Sequence, residues 1–270
     1  MNSTKWRPKW GVAALAGLLL CLPAADSRAQ QGIETLQDAA ANAVRSELRA
    51  EELRADILMA RKMYAEAADV LKKMVDRQPS NAHLLNKLGI AYYQQEKLSA
   101  AKKYYERAAR ADAYFASAVN NIGTVQYHRK KYASAAKYYR QAIGIEPETP
   151  AFHTNLGHAY FHMKKYEEAV VAFHEALRLD PLIFDRRGGV GSILQHRGTT
   201  NRPLFFYYLA KSFARMGNAE KCAQYLRKAR EEGYKGMSAA PSDPAFSHLL
   251  NDPLVREALQ LPPLPPQVQN

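Results

Sequence analysis

The apolar positions in the middle of the chain recur every three or four residues and fall into two successive segments. In residues 82–95, Leu85, Leu88 and Tyr92 share one helical face, and residues 97–111 repeat the arrangement. Because this spacing places side chains on one stripe of an α-helix, it indicates two amphipathic helices joined by a short turn. The segment therefore predicts a helical hairpin.

This hairpin pattern repeats at a fixed distance. Gly89, Gly123 and Gly157 lie 34 residues apart, each after Leu or Ile, and an alanine follows each glycine after twelve residues. A glycine inside a helix costs about 1 kcal/mol of stability relative to alanine. Because glycine nevertheless occupies the same position in three units, we expect the two helices of each hairpin to pack closely there. We expect Gly89 to pack against Ala101. A constant period of this length predicts a stacked array of hairpins.

The register divides most of the chain into units. The predicted organisation is a signal peptide at 1–29, a capping helix at 30–47, four repeat units at 48–81, 82–115, 116–149 and 150–183, a Gly/Arg-rich insert at 184–202, a fifth, degenerate unit at 203–236, capping helices at 237–260 and a disordered Pro-rich tail at 261–270. The first cap is predicted from the apolar stripe of Leu36, Ala40 and Val44. The last caps are predicted from Asp-Pro pairs, in which Asp caps a helix that Pro begins.

The repeated residues carry a family resemblance. The stretches Asn155-Leu156-Gly157-His158-Ala159-Tyr160 and Lys165-Tyr166-Glu167-Glu168-Ala169, with prolines that close the units, resemble the tetratricopeptide repeat over residues 48–183. This resemblance implies an all-α fold, a right-handed α-solenoid of helical hairpins with terminal capping helices, whose leading helices line a concave groove. It also implies protein or peptide binding without catalysis. Residues 179–259 more loosely resemble the end of exported bacterial proteins of this class.

The N-terminus has the features of an export signal. Lys5, Arg7 and Lys9 precede an apolar run at residues 11–22, and Ala29 ends a small-residue cleavage pattern. The run is shorter than the roughly 20 residues of a membrane span, which favours cleavage over an uncleaved anchor. We therefore expect an exported bacterial protein, periplasmic or secreted, with no stable membrane span after cleavage.

Charge and cysteine content narrow the functional classes. The net charge of +12 falls to +9 once the predicted signal peptide is removed, and Lys-Lys pairs recur along the repeats. Basic charge alone gives only non-specific attraction, so we interpret these pairs as solvated faces and expect no nucleic-acid partner. Cleavage leaves Cys222 as the single cysteine, in a slot that alanine fills elsewhere, and we expect it to be a buried core residue.

The predicted binding site is the groove that the leading helices would line. Aromatic rings supply anchoring area and amides hydrogen-bond a peptide backbone, so exposed aromatic residues beside asparagines suit an extended peptide. Helical spacing assigns to this groove Asn86, Ile90, Tyr93, Gln94, Asn120, Thr124, Tyr127, His128, Thr154, His158, Phe161 and His162. Tyr207, Lys211 and Arg215 extend it into the fifth unit.

The sequence offers little for catalysis. His128, His158 and His162 share a register and form the one candidate metal or enzymatic cluster, but no His-Glu-x-x-His motif or cysteine accompanies them. We therefore predict a non-enzymatic protein with no cofactor and no metal ligands. The predicted function is an exported scaffold that binds a protein or peptide of unknown identity. The alternatives are a structural part of an envelope assembly and, as the weaker one, a role for the histidine cluster.

Overall fold

The computed structural model describes residues 27–185, 201–262 and 264 of the chain. The predicted signal peptide up to residue 26, residues 186–200 of the Gly/Arg-rich insert and most of the Pro-rich tail lie outside these residues. The described residues form helices and turns and contain no strand. None of their helices is both long enough and apolar enough to span a bilayer.

Eleven α-helices account for most of the described residues. They are α1 (Ser27–Ala60), α2 (Tyr64–Arg77), α3 (Ala82–Gln94), α4 (Leu98–Ala111), α5 (Ala116–His128), α6 (Tyr132–Ile145), α7 (Pro150–His162), α8 (Tyr166–Leu179), α9 (Arg202–Arg215), α10 (Ala219–Glu231) and α11 (Pro253–Leu259). The contacts divide the chain into two compact units, residues 1–54 and residues 55–270.

The first unit contributes only the N-terminal part of α1 to the described residues. Its predicted capping stripe is solvent-exposed, since Leu36 is 72% exposed and Val44 is 56% exposed. The capping role of residues 30–47 stays a prediction.

The second unit is built from consecutive helical hairpins. The helix pairs α3 and α4, α5 and α6, α7 and α8, and α9 and α10 pack within hairpins, and each hairpin packs on the next through α2 and α3, α4 and α5, α6 and α7, and α8 and α9. Each helix can bury its apolar stripe only against its neighbours, so the hairpins bury their apolar surfaces by stacking. The predicted all-α solenoid of hairpins is confirmed, and the handedness of its superhelix stays a prediction.

Each hairpin turns through one residue in the left-handed backbone region. In the first four turns this residue is Lys62, Glu96, Lys130 or Lys164, with φ between 58° and 62°, and in the fifth it is Gly217 with φ of 69°. A residue with a Cβ atom pays a steric cost in this region that glycine avoids. Four of the five turns therefore carry backbone strain.

The repeated glycines have a different partner from the predicted one. A Cβ atom on Gly157 would lie 2.3 Å from Cε1 of Phe173, and the corresponding contacts are 2.5 Å from Gly89 to Tyr105 and 2.7 Å from Gly123 to Tyr139. The expectation that Gly89 packs against Ala101 was wrong. The glycine instead makes room for the flat ring of an aromatic residue in the second helix, sixteen positions further on.

The C-terminal residues pack onto the last hairpin. Two 3₁₀ helices, Lys235–Ser242 and Pro244–Leu249, precede α11, and the Asp243 and Asp252 side chains accept hydrogen bonds from the first backbone N–H groups of the elements that follow them. Phe246 joins the core formed by α9 and α10. Cys222 is fully buried there, as predicted, and burial raises the pKa of its thiol to about 12.

Candidate binding face on the leading helices

The first helices of successive hairpins, α3, α5 and α7, touch one another. We call the side on which they meet the leading-helix face. It holds the twelve residues predicted as a binding groove. Only Gln94 and His128 among them are exposed, Ile90 and His162 are half-buried, and the others are buried.

A chain of asparagine amides runs across this face. Asn121 Nδ2 donates to Asn86 Oδ1 at 3.0 Å, and Asn155 Nδ2 donates to Asn120 Oδ1 at 2.9 Å. Asn120 Nδ2 donates to Asn121 Oδ1 at 3.3 Å, which joins the two contacts within α5. These buried amides therefore connect three hairpins, and we call them the asparagine ladder.

The ladder changes the interpretation of two predicted site residues. Asn86 and Asn120 were expected to hydrogen-bond a peptide, but their carboxamide oxygens accept hydrogen bonds from the next hairpin. Their donors, Asn121 and Asn155, were not among the predicted residues. The signal that identifies them is an asparagine directly before the Ile-Gly or Leu-Gly pair of units three and four.

The predicted aromatic anchors are not exposed. Tyr93 and Tyr127 are each 8% exposed and Phe161 is 5% exposed. Tyr93 meets the ring of His128 at a centroid distance of 5.7 Å, Tyr127 meets His162 at 5.4 Å, and Phe161 meets Phe205 at 5.7 Å. The expectation of exposed aromatic rings was wrong because each ring packs against the following hairpin.

The two threonines of the predicted site also bond within the fold. Thr124 Oγ1 donates to the Asn120 carbonyl at 3.3 Å and receives a long hydrogen bond from the Tyr139 hydroxyl at 3.5 Å. Thr154 Oγ1 donates to the Pro150 carbonyl at 3.0 Å. Both hydroxyls therefore satisfy buried groups of their own hairpins.

The polar side chains at the ends of the leading helices form a row. Gln94, His128 and His162 are the last residues of α3, α5 and α7, at intervals of 34 residues. Each of the two histidines contacts a tyrosine of the preceding hairpin, and the Tyr132 ring also stacks on His162 at 4.7 Å. We call Gln94, His128 and His162 the polar row.

The three predicted histidines do not form one metal site. His128 lies against Tyr93, His162 lies against Tyr127 and Tyr132, and His158 lies between Phe173 and Phe205. Across residues 27–185, 201–262 and 264, no group of three or more His, Cys, Asp or Glu residues could hold a metal ion.

His158 is an unusual buried base. It is 2% exposed, its ring stacks on Phe205 at 5.4 Å, and neither ring nitrogen has a hydrogen bond within the described residues. Burial, with a smaller contribution from His162, lowers the pKa of His158 to about 3. The imidazole is therefore neutral at physiological pH, and it links the fourth hairpin to α9.

The C-terminal segment engages the predicted extension of the groove. Lys211 Nζ lies 2.7 Å from Glu167 Oε1 and 3.3 Å from Asp243 Oδ2, and the Tyr207 hydroxyl donates to Asp243 at 2.7 Å. Burial opposes ionisation of Asp243, but the hydrogen bonds from Tyr207 and the Ala245 N–H, with the Lys211 charge, lower the pKa of its carboxyl overall. These groups connect α8, α9 and the 3₁₀ helices, so Lys211 and Tyr207 already have partners.

Sequence profiles described as tetratricopeptide repeat match three parts of the chain, residues 86–150, 150–181 and 205–232. These matches coincide with the stacked hairpins from α3 onwards. The chain is a tetratricopeptide repeat (TPR) protein. The third match also identifies the fifth hairpin as a repeat of the same kind. No curated protein matches the chain by sequence.

Three solved structures are similar to the chain at low identity. The pilF protein of Pseudomonas aeruginosa is 21% identical, with 80% of this chain and 89% of that chain covered and a TM-score of 0.52. MamA from Desulfovibrio magneticus RS-1 is 17% identical, with 68% and 94% covered and a TM-score of 0.49. YrrB, described as a TPR protein with an unusual peptide-binding site, is 21% identical, with 70% and 87% covered and a TM-score of 0.44.

Proposed function

We propose that this TPR protein is a non-catalytic scaffold, exported to the cell envelope, that binds a protein or extended peptide along its leading-helix face. The observation that carries the proposal is the polar row, because it places a polar side chain at the same position in three hairpins, exposed at Gln94 and His128 and half-buried at His162. Fold alone does not give function, and these side chains are what supports the proposal.

The chemistry of the row suits a peptide backbone. A carboxamide offers a hydrogen-bond donor and an acceptor, and the ring nitrogens of an imidazole can also hydrogen-bond a peptide group. Packed helices lie roughly 10 Å apart, and an extended chain advances about 3.3 Å per residue, so successive row members would meet every third peptide residue. The two histidines lie against buried aromatic rings, which limits the entropy they lose on binding.

Export is the second part of the proposal. It is supported by the basic residues before the apolar run at 11–22 and by the small residues that end at Ala29. Detection of a mature N-terminus at or near Gln30 in the envelope fraction, by N-terminal peptide mass spectrometry, tests this part. An intact N-terminus in every fraction would overturn cleavage.

The binding test is affinity purification of the tagged protein from the native envelope, with mass spectrometry of what is captured. The site variant replaces Gln94, His128 and His162 together by alanine. The matched control replaces Lys103, Lys137 and Gln141 by alanine, because these residues are exposed on the second helices α4 and α6. Circular dichroism and the melting temperature establish that both variants fold.

We expect the site variant to lose specific partners while the control retains them. Capture of the same partners by both variants would move the binding site away from the leading-helix face. Alanine at Tyr93, Tyr127 or Phe161 is a poor test, since removal of these buried rings damages packing as well as any contact with a partner.

A further inference from the structure

The turns of the first four hairpins lie side by side. Gln95 Nε2 in the second turn donates to the Tyr64 carbonyl beside the first at 2.9 Å, and Arg129 Nη2 in the third donates to Ser99 Oγ beside the second at 3.0 Å. Tyr132, which follows the third turn, stacks on His162, which precedes the fourth. We call residues 61–63, 95–97, 129–131 and 163–165 the turn edge.

The turn edge is strongly basic. It contains eight cationic residues and one carboxylate: Arg61, Lys62, Lys97, Arg129, Lys130, Lys131, Lys164 and Lys165, with Glu96. The three loops that join the first four hairpins, residues 78–81, 112–115 and 146–149, contain three carboxylates and no cation. Helix macrodipoles do not explain why the turns are basic and these loops are acidic, because each turn and each loop joins the end of one helix to the start of another.

Most of these cations point to solvent without an anionic partner. Lys62, Lys130, Lys131 and Lys164 are exposed, and no ion pair within the described residues involves them. Lys165 is the exception, with its Nζ 3.6 Å from Glu168. Neighbouring carboxylates are sparse around the third turn, since α5 and α6 contain none.

We propose that the turn edge binds the surface of an anionic phospholipid bilayer. A row of cations at the tips of adjacent turns can meet a flat layer of phosphate groups at the same time, and each lysine or arginine near such a surface strengthens binding about fivefold. This attachment is peripheral and electrostatic. The lipid assignment does not depend on the peptide-binding proposal.

The composition of the edge favours lipid over other anionic partners. Besides the charged residues, it contains only Gln95, Met63 and Met163. Protein interfaces rely on buried Trp, Tyr and Arg anchors, and single-stranded nucleic acids stack on exposed aromatic rings. The edge offers neither type of aromatic anchor, whereas polybasic attraction to lipid headgroups requires none.

The test is co-sedimentation of the full chain with vesicles of phosphatidylcholine alone or mixed with phosphatidylglycerol, at low and high salt. The edge variant carries Lys97→Gln, Lys130→Gln, Lys131→Gln and Lys164→Gln. The control variant carries Lys103→Gln, Arg110→Gln, Lys137→Gln and Arg140→Gln, which remove the same charge from exposed positions on α4 and α6. The neutral vesicles measure any contribution of the apolar run at 11–22, which all variants share.

We expect salt-sensitive binding to the anionic vesicles that falls at least tenfold in the edge variant and much less in the control. Equal losses in both variants would show an effect of net charge alone and overturn the assignment to this edge. Failure of the wild-type chain to prefer anionic vesicles, or edge-dependent binding only to polyglutamate or single-stranded RNA, would overturn the lipid assignment.

Discussion

Replacement of two helical glycines by alanine should have opposite effects on stability. Gly144 in α6 has no atom within 4 Å of the position that a Cβ would occupy, so Gly144→Ala should raise the unfolding free energy by about 0.5–1 kcal/mol through helix propensity. Gly157 lies in α7, where substitution by alanine should bring the same gain in helix propensity. Its Cβ, however, would lie 2.3 Å from Cε1 of Phe173.

The Phe173 ring has little room to move. It is fully buried and packs against His158, Phe184 and Phe205. Overpacking of this kind typically costs about 1–3 kcal/mol, so Gly157→Ala should lower the unfolding free energy despite its better helix propensity. The difference between the two variants isolates the contact and should itself be about 1–3 kcal/mol.

Urea unfolding monitored by circular dichroism measures both changes, with analysis by a repeat-protein model if the transition is not two-state. A second experiment places Gly157→Ala in a Phe173→Leu background, where the smaller side chain should relieve most of the penalty. If Gly157→Ala stabilises the protein as much as Gly144→Ala does, the glycine–aromatic contact is not what the repeated glycine accommodates.

Three further predictions follow from single sites. His158 protonates near pH 6.5 in the unfolded chain but only near pH 3 in the folded protein, so the unfolded state binds a proton that the folded state excludes as the pH falls below 6.5. The free energy of unfolding should therefore be highest above pH 6.5 and fall by about 2 kcal/mol between pH 7.5 and pH 5. His158→Gln should remove that part of the pH dependence, as measured by urea unfolding. Lys164→Gly should raise the melting temperature by relieving about 1 kcal/mol of strain at φ of 59°, whereas Lys165→Gly, at φ of −88°, should bring no such gain. Asn121→Ala should cost about 1–3 kcal/mol in urea unfolding by leaving Asn86 Oδ1 buried without its donor, and a neutral result would remove the ladder from the stabilising contacts.

Residue spacing predicted which residues lie on the leading helices but not which of them are exposed. Periodicity correctly placed Asn86, Tyr93 and His158 on the leading helices, because a helical face is a local property of the sequence. It could not tell exposure from burial, since that depends on how closely the next hairpin approaches. Tyr93, for example, packs with Ile122 and Val125 of the next hairpin and contacts the ring of His128.

Residue spacing also did not predict the chemical environment of His158. Its register with His128 and His162 suggested a shared metal site, yet each ring packs in a different aromatic environment. One of the rings that encloses His158 is Phe205, which lies beyond the irregular insert at 184–202. No fixed spacing connects these two residues, so only the folded chain reveals the contact and the lowered pKa.

By itself, the sequence determined the hairpin array, since helix periodicity, glycine at a fixed interval and Asp-Pro helix starts are short-range features that repeat along the chain. It also determined the basic composition of the turns. Only the tertiary structure decided which groups of the leading helices remain in solvent, that the asparagines bond to one another, and that the basic turns share one edge. These properties arise from contacts between hairpins, and in a stacked array such contacts join side chains that are about one repeat apart in the sequence.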